Sequence, residues 1–214
     1  MTAYHQRKRD LLAGIFILIV LLFILPACGS QKDTDKTDKV YRIGVLSGSD
    51  TFNTTIDGFK AQMADYGYVE GKNISYDVQS ANADPEKMAQ ISQKFVSDKV
   101  DLIFVTTNNG ALAARTATAG TNIPVVFTFV IAPTKTGVVE NVAHPGGNLT
   151  GVLNPLDLFV DKRVEFLLKI DPTATRIWVP YNPAYPTVTA VRDELIKAAP
   201  DLGVELIETQ IAAS

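Results

Sequence analysis

The stretch VDLIFVTTNNGALAARTATA (Val100–Ala119) runs from a nearly unbroken apolar segment, Val100–Thr107, directly into small residues from Asn108 onward. A short apolar run rich in β-branched and aromatic residues predicts a strand buried on both faces. The alanine-rich segment behind it predicts a helix. A doubly buried strand that feeds a helix is the repeating unit of a parallel sheet with helices on both sides.

The same unit recurs in both directions. VYRIGVL (40–46) reads as a strand ending in the turn SGSD. Ile56, Phe59, Met63 and Tyr66 then mark one face of a helix,. Gly67 and Gly71 punctuate the chain before the strand ISYDVQS (74–80),. Asp84 and Pro85 predict a helix start, with Asp84 as N-cap and Pro85 at N1, and Met88, Ile91 and Phe95 as its apolar face,. IPVVFTFV (123–130) and NLTGVLN (148–154) predict two more strands. A helix over roughly 156–170 follows, with Val160, Val164, Leu167 and Leu168 facing inward. After DPTATR come a strand (177–181), a helix (186–199) and a strand (203–209). The fold class is therefore α/β, a doubly wound parallel sheet, and its crossovers are expected to be right-handed.

Composition narrows the chemistry. The chain has 214 residues, a net charge of −3, one cysteine and two histidines. One thiol excludes an internal disulfide framework, and His5 and His144 leave little for a metal centre; no metal and no cofactor are expected,. The only basic block is Arg7-Lys8-Arg9, which argues against a nucleic-acid partner,. His144, in HPGGN, reads as a turn residue, and Trp178 as a core residue of its strand.

Residues 1–28 form a separate object. Arg7, Lys8 and Arg9 precede the uncharged run Leu11–Leu25, and small residues then lead to Cys28. That order is a secretory signal, although the run is also long enough for an uncleaved transmembrane anchor. LPAC (25–28) resembles a bacterial lipobox, with Cys28 as the lipidated residue; Pro26 departs from the usual pattern. Residues 29–39, GSQKDTDKTDK, read as a flexible tether,. Either reading of the leader puts the folded part outside the cytoplasm and on the membrane.

Several phrases beyond Val40 stand in a fixed order: DGFKAQMADYGYVEGKNISYDV, VDLIFVTTNNGALAARTAT, IPVVFTFV, HPGGNLTGV and KRVEFLLKIDPTATRIWVPYNP. Together they resemble the substrate-binding proteins of ABC importers, in the group that includes tryptophan-type binding proteins. GYVEGKNI and HPGGNLTG are the most specific parts. The resemblance implies a type I periplasmic-binding fold, in which two α/β domains close on a small ligand and deliver it to a membrane permease. It also implies that 40–155 is a complete first domain, and that 156–214 holds a hinge and part of a second domain, cut short at the C-terminus.

In open parallel sheets, ligands bind outside the carboxyl ends of the strands near the switch in strand order. That rule selects Ser47, Gly48, Ser49 and Asp50 after the first strand, with Thr51 and Phe52 behind them. It selects Thr106, Thr107, Asn108, Asn109 and Gly110 after the third, Thr128, Phe129 and the segment to Ala132-Pro133 after the fourth, and Tyr181, Asn182 and Pro183 from the partial second domain. Uncharged Ser, Thr and Asn suit a small polar or zwitterionic solute such as an amino acid. A helix start at Asn108 presents free N–H groups to a carboxylate. Asp50 is a candidate for an ammonium, and Phe52, Phe129 or Tyr181 for stacking. Each also has a structural reading: Ser47–Ser49 as a turn, Asn108 as a cap, Phe129 as core, Asp50 as a cap or solvated loop residue, Asn182-Pro183 as an ordinary turn.

The reading that follows is a non-enzymatic, lipid-anchored binding component of an ABC importer. A membrane-anchored sensor ectodomain, an extracytoplasmic enzyme on the same scaffold and a shortened chain that binds nothing remain as alternatives. No nucleotide-binding glycine motif or GxSxG elbow is present to favour the enzyme,.

Overall fold

The computed structural model describes residues 39–211. The expectations for the leader, Cys28 and nearly all of the tether lie outside the described residues.

Among the described residues, seven strands and five helices follow one another as the apolar pattern predicts. β1 (Tyr41–Ser47), α1 (Asn53–Asp65), β2 (Ile74–Ser80), α2 (Pro85–Ser97), β3 (Leu102–Thr106), α3 (Asn108–Ala117), β4 (Val125–Val130) and β5 (Leu149–Leu153) build a five-stranded sheet. Every pairing in it is parallel, in the order β2-β1-β3-β4-β5. α4 (Val160–Ile170), β6 (Arg176–Tyr181), α5 (Pro186–Ala198) and β7 (Glu205–Gln210) follow, and β6 and β7 pair parallel as a separate sheet. A 3-10 turn precedes α1 at Asp50–Phe52 and another precedes α4 at Leu156–Phe159.

Alternation along the strands sorts the side chains into two layers. Leu46, Ile103, Val105, Val125 and Phe127 meet Met88 and Phe95 of α2 and Ala111 and Ala114 of α3 on one side. Ile43, Val45 and Phe104 meet Ile56 and Phe59 of α1 on the other. The Phe59 and Phe104 rings stack in parallel, 4.2 Å between centroids. Phe95 is fully buried, and its ring lies on Gly44, where a Cβ would come within 2.6 Å of it. Truncating a buried ring of this kind to alanine costs about 3–5 kcal/mol. Helix α2 begins as expected: Asp84 caps it by accepting the N–H groups of Glu86 and Lys87, with Pro85 in the first turn.

Around the second sheet, Val164 of α4, Ala199, Val204, Ile177 and Leu206 form a smaller cluster. α4 and α5 cover the Ile177 side only. Trp178 points to the other side and is 65% exposed, so the expectation that it is core is corrected. Leu167 is likewise exposed: α4 buries Val160 and Val164, and Leu167 falls outside that narrow stripe.

Candidate functional site

The strand order reverses at β1, which has β2 on one side and β3 on the other. Chains leaving β1 and β3 therefore diverge to opposite faces and leave a crevice outside their carboxyl ends. A cleft of about 290 Å³ opens there. Gly48, Ser49 and Phe52 line it from the segment after β1, Ala83 and Met88 from the start of α2, and Thr107, Asn108 and Asn109 from the start of α3. Phe129 and Ile131 add the end of β4, and Tyr185 and Thr187 come from the start of α5.

Backbone bonds lock these segments together. The Gly48 N–H donates to the Thr106 hydroxyl at 2.8 Å, and Ala81 and Ala83 donate to the carbonyls of Ser47 and Gly48. Gly48 is required by this close approach: a Cβ there would sit 2.5 Å from Thr107 Oγ1. Three non-glycine residues of the lining, Ala83, Thr107 and Phe129, hold positive φ (63°, 71° and 55°). Such strain concentrates at ligand sites, where the surrounding structure enforces it.

The sequence-selected residues divide into three groups. Gly48, Ser49, Thr107, Asn108, Asn109 and Phe129 come together in the cleft. Ser47 and Thr106 lie beneath it, fully buried; the Ser47 hydroxyl donates to the Ser49 carbonyl. Asp50, Tyr181 and Asn182 stand apart from the lining. Asp50 accepts from the Ser80 hydroxyl, Tyr181 accepts from Gln210 and lies under the Arg192 guanidinium, and Asn182 accepts the Ala184 N–H in a turn.

Phe129 is not a core residue. It is 39% exposed, and its ring meets that of Phe52 with centroids 4.8 Å apart and planes at 49°. Asn108 takes a role other than capping, because Thr107 caps α3 by accepting the Gly110 N–H. The Asn108 amide instead bonds to Ile131 and Thr136.

Ile131 lies in the segment selected after the fourth strand, whereas sequence reasoning missed Ala83, Met88, Tyr185 and Thr187. The loop after β2 belongs to the same strand-end rule and was open to selection. Tyr185 and Thr187 lie a few residues beyond Asn182, where Pro186 opens α5.

In chemical terms the cleft is neutral: among the described residues no acidic or basic side chain lines it. Its walls are aromatic and aliphatic, with hydroxyl and amide groups and the first turn of α3 at one end. The first N–H groups of a helix have no carbonyl of their own helix to reach and favour an anion. Among the described residues no cluster of His, Cys, Asp and Glu is arranged to hold a metal. A larger hollow, about 370 Å³, lies between α3 and residues 138–149. It is remote from the switch point, and its Asn148 and Arg115 are engaged in bonds to Thr118, Ile123 and Gly137. His144 sits in the adjacent turn, its N–H bonded to Asn141.

Residues 42–214 match the model of the family described as ABC transporter substrate binding protein. A tyrosine-binding protein of Clostridioides difficile is 34% identical over 189 residues, 88% of this chain and 54% of that protein. Two crystal structures align over 81% of this chain and 58% of theirs. One is a conserved domain protein of Vibrio cholerae, at 29% identity and TM-score 0.73. The other is a ligand-free, open substrate-binding protein with adhesive properties from Clostridium difficile, at 33% identity and TM-score 0.63. The chain thus spans little more than half the length of these relatives. Its fold is the type I periplasmic-binding fold, present in part. The tyrosine-binding and substrate-binding relatives are binding proteins rather than enzymes, and the chain belongs to the ABC transporter substrate-binding protein family.

Proposed function

We propose that this chain is the solute-binding component of an ABC importer, and that its cleft takes an amino acid with an aromatic or large apolar side chain. The observation that carries the reading is the composition of the cleft at the switch point: a Phe52–Phe129 ring pair, Met88, Ile131 and Tyr185 around uncharged hydrogen-bonding groups. The ligand carboxylate would lie against the first turn of α3, beside Thr107 and Asn109. Its side chain would lie among the rings. The relative named for tyrosine binding supports the same class.

In this reading residues 40–155 are the first ligand-binding domain, and 156–214 hold the hinge and the start of the second. Tyr185 and Thr187 reach the cleft from that second part, so closure around ligand is a hinge motion that brings the two lips together,. The closed form would then dock on a membrane permease. Cys28, lipidated after removal of residues 1–27, would hold the protein at the outer face of the membrane through the 29–39 tether.

Calorimetric titration with L-tyrosine, L-tryptophan, L-leucine and L-alanine tests the ligand class. Binding of the first two with saturable heat is the expected result, and heat from none of the four overturns it. A ligand that binds only the folded protein also raises its melting temperature. Labelling with a fatty-acid analogue tests the anchor, since label should enter the wild type and not Cys28→Ala.

A further inference from the structure

We propose that Asn108 is a positioning residue that clamps a bulge in β4, and that the clamp aims Phe129 into the cleft as the residue selecting ring-bearing ligands. This rests on the reading of the cleft as the ligand site.

The bulge is visible in the register. Phe127 pairs with Gly151 and Val130 with Leu153, so β4 carries one residue more than β5 between the two pairs. Regular alternation would send position 129 after Val125 and Phe127 onto the α2–α3 face. Val130 occupies that face instead and is fully buried. Phe129 is the extra residue, at a φ of 55° that bulky side chains rarely adopt,. β5 makes room through Gly151, where a Cβ would lie 2.1 Å from the Phe127 carbonyl oxygen.

Both sides of the bulge are pinned by the start of α3. The Thr107 N–H donates to the Thr128 carbonyl at 3.1 Å. Asn108 Oδ1 accepts the Ile131 N–H at 2.9 Å, and its Nδ2 donates to the Ile131 carbonyl at 2.7 Å and to Thr136 Oγ1 at 2.8 Å. Both amide hydrogens of Asn108 are therefore spent on the protein, and the residue is 4% exposed. It has no donor left for a ligand. What it governs is the backbone on which Phe129 stands, and that backbone presents the ring beside Phe52.

The test has a ligand-free arm and a binding arm. At an ordinary position glycine destabilises relative to alanine. At 129 the order should invert: Phe129→Gly is expected to melt above Phe129→Ala by roughly 2–4 °C, because both lose the ring and only glycine loses the strain. Combined with Asn108→Ala, the gap should close, since the backbone is then free to relax. In the binding arm, Phe129→Ala should weaken L-tyrosine roughly tenfold and L-leucine less. Asn108→Ala should cause the same loss alone and add nothing to Phe129→Ala.

An alanine variant melting at or above the glycine variant, or losses that add, overturns the proposal. Should Asn108→Ala fail to fold, Asn108→Asp keeps the acceptor for Ile131 N–H and lacks the donors. It is expected to give an intermediate loss for L-tyrosine, and unchanged selectivity counts against the clamp. If the wild type binds neither amino acid while the melting order inverts, the clamp stands, and both the selectivity of Phe129 and the proposed function fall.

Discussion

The Thr106 hydroxyl accepts the Gly48 N–H at 2.8 Å and so joins the carboxyl end of β3 to the first loop of the cleft. Both partners are on segments that leave the sheet in different directions, and the bond fixes the width of the crevice between them. Gly48 also presses against Thr107, which is itself held at positive φ.

Substituting Gly48 by alanine is therefore expected to force Thr107 outward. Overpacking of this kind costs about 1–3 kcal/mol. A thermal melt should show the loss, and calorimetry should show weakened binding of L-tyrosine. A variant that melts and binds like the wild type would mean that the loop gives way freely.

Asp84 both caps α2 and ends the loop that brings Ala83 to the cleft. Asp84→Ala removes acceptors from Glu86 and Lys87 and should cost about 1 kcal/mol. The melting temperature should fall by roughly 2–4 °C. Asp84→Asn or Asp84→Ser should recover most of it, because either side chain accepts the same bonds.

Asp77 titrates below the ordinary aspartate range, chiefly because Lys94 donates to it at 2.7 Å, with a second bond from Gln79. The fold thus favours the ionised form. Its contribution is complete above the pKa of the unfolded chain and is lost as pH falls through the lower folded value. Comparing Lys94→Met with wild type across an acid titration should give a stability difference that is flat near neutrality and shrinks only below the normal aspartate range. A difference that vanishes already between pH 6 and 5 (both on the order of a unit or more above that range) would assign the effect to another group.

Of the ion pairs formed by the described residues, Lys135–Glu194 is the one that joins the segment after β4 to α5. Lys135 and Lys197 both donate to Glu194 and hold its carboxyl below the usual range. The side chains remain partly exposed, so the pair is screened and weak,. In the proposed closing motion, Glu194→Gln should remove a contact between the two lips and weaken ligand binding roughly two- to fivefold at low salt. Raising ionic strength should shrink the difference between the two proteins. A salt-independent difference would remove the pair from the closing motion.

Much of the fold was legible in the chain because burial on both faces leaves a local signature. Leu102–Thr106 and Val125–Val130 read as strands from apolar runs, and Asp84-Pro85 marks the start of α2 by local hydrogen bonding alone. The placement of Ser49, Thr107 and Asn109 at strand ends was legible for the same reason: each follows directly from where its strand stops. Trp178 was misread because its exposure depends on what covers the far face of β6, which no local pattern records.

By itself the sequence determined the order of strands and helices, the Asp84 cap of α2 and the loops at the strand ends, since these rest on interactions within a few residues. Tertiary structure alone decided which of those loops share one cleft, because the strand order 2-1-3-4-5 is set by pairing across distant segments. It also decided that Asn108 grips Ile131 and that the bulge at Phe129 turns its ring away from the α2–α3 layer. A one-residue difference in register between β4 and β5 exists only once both strands are paired,.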